Sequence, residues 1–60
     1  MSETLMQKMR RIRKQKKLTL FELAMRIRIP EATISLLEKG KVAVTAQQAD
    51  IVRAFLAGKL

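Results

Sequence analysis

The stretch LTLFELAMRIRIPEATISLLEKG, residues 18–40, decides the fold. Thr19 is a residue type that caps helix N-termini. Leu20, Leu23, Ala24 and Ile27 follow at i, i+3, i+4 and i+7, which sets apolar side chains on one helical face. Pro30 disfavours helical backbone at Ile29, so this helix is expected to end between Arg26 and Arg28. Pro30 also suits the N-cap or first turn of a new helix, and Glu31 complements the positive end of its dipole. Ile34 and Leu37 face inward along that helix, and Gly40 is expected to close it as a left-handed cap. Two helices joined by about three residues have the spacing of a helix-turn-helix.

Helical punctuation continues on both sides of this stretch. Upstream, TLMQ at 4–7 matches a capping box, with Ser2 as a competing start. Leu5, Met9, Ile12 and Lys16 then form a stripe at i, i+4, i+7 and i+11. Downstream, TAQQ at 45–48 matches a second capping box, and Ile51, Val52 and Phe55 form the buried stripe of a helix ended by Gly58. VAV at 42–44 can be extended but has no segment to pair with. There is no repeat and no low-complexity segment. The expected fold is all-α: a compact four-helix domain with room for a short fifth turn, spanning residues 1–60, with its motif at 19–39.

Sixty residues bury a limited fraction of their surface, so such a core needs economy or a supplement. The absence of Cys removes disulfides and thiolate metal sites, and the absence of His makes a structural zinc improbable. Tight helix packing, oligomerisation or a stabilising ligand remain. The hydrophobic fraction of 48% is that of a globular domain. No apolar run approaches the ~20 residues that span a bilayer. MSETLMQKM lacks the basic start and apolar region of a secretory signal, so a soluble, cytoplasmic chain is expected.

Charge is the strongest global feature. Thirteen Lys and Arg against five Asp and Glu leave +8, and seven of the cations fall within residues 8–17. Such a run is either a solvated helix face or a surface for a polyanion: nucleic acid, anionic membrane or an acidic protein. A membrane-binding helix fits poorly, because Leu5, Met9 and Ile12 are needed for the core and no Trp flanks the run. Enzymatic chemistry is not expected, since there is no His or Cys, no paired carboxylates and no Gly-rich phosphate loop. No cofactor and no small-molecule substrate are expected either.

Residues 18–40 resemble the helix-turn-helix of the phage Cro and repressor family, also called XRE-like and typified by the lambda repressor fold. Leu18, Thr19, Glu22, Leu23, Ala24, Ile29, Ile34, Ser35, Leu37, Glu38 and Gly40 match its pattern, and MRRIR at 9–13 looks like the end of its first helix. The likeness covers residues 5–56. Three departures stand out: Arg28 replaces the turn glycine, Lys17 replaces the glycine before the second helix, and Leu20 replaces a frequent Gln. Phe21 is expected to be half exposed, against the first helix or a partner subunit. The sequence stops where the family's fifth helix would begin.

The resemblance implies a transcriptional regulator at the bacterial nucleoid, most often a repressor of phage or mobile-element type. It would bind a palindromic operator as a homodimer, with the third helix in the major groove of double-stranded DNA. Base-facing positions fall on Glu31, Ala32, Thr33 and Leu36, although Glu31 serves equally as a helix-dipole residue. Phosphate-contacting positions fall on Thr19, Arg26, Arg28, Ser35, Lys39 and Lys41, with Arg10, Lys14 and Lys17 within reach of the same strand. Arg13 and Glu38 match a partly buried structural ion pair. Val44, Phe55, Leu56, Ala57 and Leu60 supply a candidate dimer surface. No Arg, Gln or Asn offers a bidentate base contact from the third helix, so modest or shape-assisted specificity is expected. Two other readings use the same scaffold: a low-specificity DNA binder, and a protein-interaction module such as an antirepressor or the antitoxin of a toxin pair.

Overall fold

Thr4, Thr19 and Thr45 each hold extended backbone immediately before a helix and start it in the same way. Each hydroxyl oxygen accepts the N–H three residues on, at 3.0–3.1 Å, and the side chain of that residue accepts the threonine's own N–H at 2.9–3.0 Å. Such a cap stabilises a helix by about 1 kcal/mol. The computed structural model describes residues 2–60. Its helices are α1 (Leu5–Gln15), α2 (Leu20–Ile27), α3 (Glu31–Glu38) and α4 (Ala46–Leu56), with no strand among the described residues. Ser2 lies outside α1, and the chain beyond α4 makes a turn at 57–58 and no fifth helix. The capping boxes therefore fix where three of the helices begin. The fourth, α3, opens on Pro30 with no side-chain cap.

The helix ends explain the tight connections. Lys17 (φ 58°) and Gly40 (φ 72°) are left-handed residues just beyond α1 and α3. After α1, the Lys17 and Leu18 N–H groups return to the Lys14 and Arg13 carbonyls at 3.0 Å. After α3, Gly40 and Lys41 return to Leu37 and Leu36 at 3.1 and 3.0 Å, satisfying carbonyls the helix leaves open. Arg28 (φ 58°) ends α2, donating its N–H to the Ala24 carbonyl at 2.8 Å. Only Arg28, Ile29 and Pro30 separate α2 from α3.

Four helices converge on one core of Met6, Met9, Leu23, Ile27, Ile29, Ile34, Leu37, Val52 and Phe55. Burial of each large apolar side chain stabilises by roughly 1.5–3 kcal/mol. α1 packs on α3 and α4, and α2 packs on the same pair. The turn residue Ile29 plugs this core at 5% exposure, which holds the crossing of α2 and α3.

α1 differs from the expected single stripe. Its buried residues are Met6 and Met9, while Leu5 and Ile12 are only partly covered and Lys16 is exposed. The helix is wedged between two neighbours: Met6 borders Leu37 of α3, and Leu5 borders Leu56 of α4. Lys16 caps the second contact, its ammonium 5.8 Å from the centroid of the Phe55 ring. Phe55 is 1% exposed, so its ring is spent on the monomer's own core and cannot line a dimer surface. Of the other candidates there, Val44 and Leu56 pack partly against the core, and Leu60 is exposed.

Candidate nucleic-acid interface

α3 presents two chemically distinct sides. Ile34 and Leu37 are fully buried, and the residues between and before them turn outward. Glu31, Ala32 and Leu36 are exposed, while Thr33 and Ser35 are half-buried. Buried Leu37 and exposed Leu36, adjacent in sequence, define where the helix stops being core. The outward side thus gathers Glu31, Ala32 and Leu36, with Thr33 at its margin.

The far end of α3 is locked to α1. Arg13 donates from Nε and Nη2 to the two carboxylate oxygens of Glu38, at 2.9 and 3.0 Å, and from Nη1 to the Leu18 carbonyl at 2.9 Å. A guanidinium fork on a shielded carboxylate satisfies both charges, and here it sets the angle at which α3 leaves the core. Arg10 stands near the same carboxylate with its Nε 4.0 Å from Oε1, too far for a hydrogen bond, and its side chain stays largely exposed.

Cations then flank the outward side. Arg10, Ser35 and Lys39 line one cleft of about 330 Å³ with Arg13, Leu20 and Glu38. Three of the candidate phosphate contacts therefore converge beside the first residue of α2. Lys41 follows Gly40, and Lys14, Lys17, Arg26 and Arg28 are exposed on their own segments. Thr19 is exposed at the start of α2, where its oxygen accepts from the Glu22 N–H at 3.0 Å.

Charge is segregated along the chain. Residues 1–17 carry +6 and residues 39–60 carry +3, whereas residues 18–38 carry −1, with Arg26 and Arg28 against Glu22, Glu31 and Glu38. α3 itself bears no cation. The positive charge that attracts a polyanion therefore lies in the segments around the motif, and α3 adds none to it.

The chain matches the family model described as Helix-turn-helix over residues 9–57. The chain belongs to this helix-turn-helix family. The Cro and repressor-like domains that its motif resembles are DNA-binding regulators of transcription, and binding of double-stranded DNA is this domain's function class. The family is regulatory and not enzymatic. No curated protein and no solved structure matches the chain. No helix among the described residues is long and apolar enough to cross a membrane.

Met25 escapes a reading by periodicity alone. It is 64% exposed, four residues after Phe21 at 59%, and the pair makes an apolar strip on the side of α2 away from Leu23 and Ile27. The i, i+4 spacing of two large apolar residues outside the core stripe is the signal that marks it.

Proposed function

We propose that this helix-turn-helix domain is a sequence-specific repressor of phage or mobile-element type, acting in the cytoplasm at the nucleoid on a palindromic operator. α3 enters the major groove and meets base edges with Glu31, Ala32, Thr33 and Leu36. Thr19, Arg26, Arg28, Ser35, Lys39 and Lys41 hold the backbone, assisted by Arg10, Lys14 and Lys17. The observation that carries the reading is the exposed side of α3, fixed at one end by the Arg13–Glu38 fork and flanked by Lys39. A homodimer supplies the twofold, with Val44, Leu56 and Leu60 facing the partner copy. Glu31 accepts from a cytosine amino group, and Ala32, Leu36 and the Thr33 methyl meet thymine methyls.

Selection from random duplex DNA, followed by binding at several salt concentrations, tests this reading. A roughly palindromic enriched site is expected. With ~4 phosphates neutralised per subunit, log K falls with log salt at a slope near −3.6 per subunit. Salt-sensitive binding without enrichment reduces the domain to a nonspecific DNA binder. The absence of binding at low salt sinks the reading. It would favour a protein-interaction module, the alternative motivated by the exposed Leu36 and the cation-free α3.

A further inference from the structure

Among the described residues the two most exposed large apolar side chains, Phe21 and Met25, rim a groove of about 420 Å³ between α2 and the start of α3. Ala24, Arg28, Ile29, Pro30 and Glu31 complete its lining, with Ile29 buried and Arg28 and Glu31 exposed. A soluble domain rarely leaves such side chains together without an occupant.

Charge identifies the occupant. Among the described residues, Glu3, Glu38 and Asp50 each lie in an ion pair and Glu22 is engaged in the α2 cap, but Glu31 has no cation within 4.0 Å. Arg28, on the same rim, has no carboxylate within that distance either. In an isologous contact residue i meets j and j meets i, so one Arg28–Glu31 contact between two copies brings its mate with it and gives both unpaired charges a partner. The segment carrying the groove, residues 18–38, is also the part of a +8 chain that carries almost no net charge. Two such faces can approach without the repulsion that opposes any meeting of the basic flanks.

We propose that the groove lined by Phe21, Ala24, Met25, Arg28, Pro30 and Glu31 is a self-association surface, on which a second copy docks about a twofold axis and excludes DNA from α3. The exclusion clause rests on the proposed DNA-binding role of α3, because Glu31 lies in both contacts. The self-association does not rest on it. This surface is separate from the C-terminal one assigned to the operator-bound pair. At high concentration without DNA the chain hides the start of its own reading helix, and an operator must compete for it.

Sedimentation equilibrium of the whole chain, from about 10 µM to about 1 mM, spans weak association of this kind. A reversible monomer–dimer equilibrium is expected, and it should fall with salt less steeply than DNA binding does, because apolar contact carries most of it and only the Arg28–Glu31 contacts are screened. Phe21→Ser or Met25→Ser should weaken it about tenfold or more, a fold-change matching loss of one buried side chain. Both side chains are exposed in the monomer, so neither change disturbs folding. Arg28→Glu and Glu31→Arg should each weaken association, and the double exchange should restore it. Leu60→Ser should leave it intact. A chain that stays monomeric at the highest concentration overturns the proposal. So does association that survives Phe21→Ser with Met25→Ser, or that is lost with Leu60→Ser. A duplex that the wild type binds should dissociate the groove-mediated dimer; binding of duplex and second copy together, at no cost to either, overturns the exclusion alone.

Discussion

Arg13 and Glu38 stand 25 positions apart in sequence, and their side chains meet through two hydrogen bonds of 2.9 and 3.0 Å. The pair is shielded, with side-chain exposures of 11% and 5%. It joins the buried side of α1 to the last residue of α3 and reaches the α1–α2 connection through the Leu18 carbonyl. Removing one partner leaves the other charge without compensation. Glu38→Ala is expected to destabilise the domain by about 3 kcal/mol, measured by urea denaturation. Arg13→Met combined with Glu38→Leu should lose less than either single change, because both charges leave together. A cost for Glu38→Ala no larger than that of an exposed pair would remove the fork from the architecture.

The same pair marks where periodicity in the sequence stops being informative. The buried side of α1 runs Met6, Met9, Arg13 at i, i+3 and i+7, and it ends on a cation, which no apolar pattern registers. Leu5 and Lys16 lie on the adjacent side toward α4, so the two contacts blur into one expected stripe. Helix starts were readable because Thr4, Thr19 and Thr45 make local contacts with residues three positions on. Phe55 reads from spacing both as part of the buried α4 stripe and as a dimer candidate, and the choice is nonlocal: it depends on what α1 puts above the ring, which at 1% exposure belongs to the core. Inward Ile34 and Leu37 were evident from spacing, whereas the Phe21–Met25 groove needs the α2–α3 angle that Ile29 sets.

Lys17 occupies a left-handed conformation (φ 58°) that costs an L-residue roughly 1–2 kcal/mol and glycine nothing. Glycine gives back part of that gain through its freer unfolded state. Lys17→Gly should therefore raise stability by about 0.5–1 kcal/mol, seen as a higher urea midpoint at unchanged m. If the ammonium neutralises a phosphate, the salt slope of DNA binding should also lose about 0.9. A destabilised Lys17→Gly would show that the lysine makes a contact worth more than the strain.

Leu36 and Leu37 should separate core from outward surface in one experiment. Leu37 is 1% exposed, and truncation to Ala should cost about 3 kcal/mol through lost burial and a cavity. Leu36 is 40% exposed, so Leu36→Ala should stay within about 0.5 kcal/mol of wild type while altering duplex preference. Equal costs in thermal unfolding would mean that Leu36 is core and has no free face for a base.

Acid should act on the α2 cap. The Thr19 N–H, with a second contribution from the Thr19 hydroxyl, holds the Glu22 carboxyl below its ordinary value of 4.5. A depressed folded value means that the cap's ionic contribution is complete above pH 4.5 and is lost as pH falls through the folded value. Gln7 and Gln48 make the same cap without charge at α1 and α4, so Glu22→Gln preserves its shape. The stability advantage of wild type over Glu22→Gln, followed from about pH 7 to about pH 2, should shrink across that window. An advantage independent of pH would assign the cap to geometry alone.

Glu31 and Lys41 should respond in opposite ways when each is changed. Lys41 follows the left-handed Gly40 beyond α3, outside the helix and on an exposed segment, and its proposed role is to hold a phosphate. Lys41→Ala should weaken binding to all duplexes alike and reduce the salt slope by about 0.9. Glu31 opens α3, and its carboxylate can only accept hydrogen bonds, which suits a cytosine amino group; Glu31→Gln adds a donor at the same length. Selection with the Glu31→Gln protein should shift preference at one base pair of each half-site, with an effect of about 1–3 kcal/mol there. Since Glu31 also complements the α3 dipole, Gln should cost a few tenths of a kcal/mol in stability, and that readout separates the two roles. An unchanged preference with lowered stability would leave Glu31 as a helix-dipole residue, and base reading would then rest on Ala32, Thr33 and Leu36.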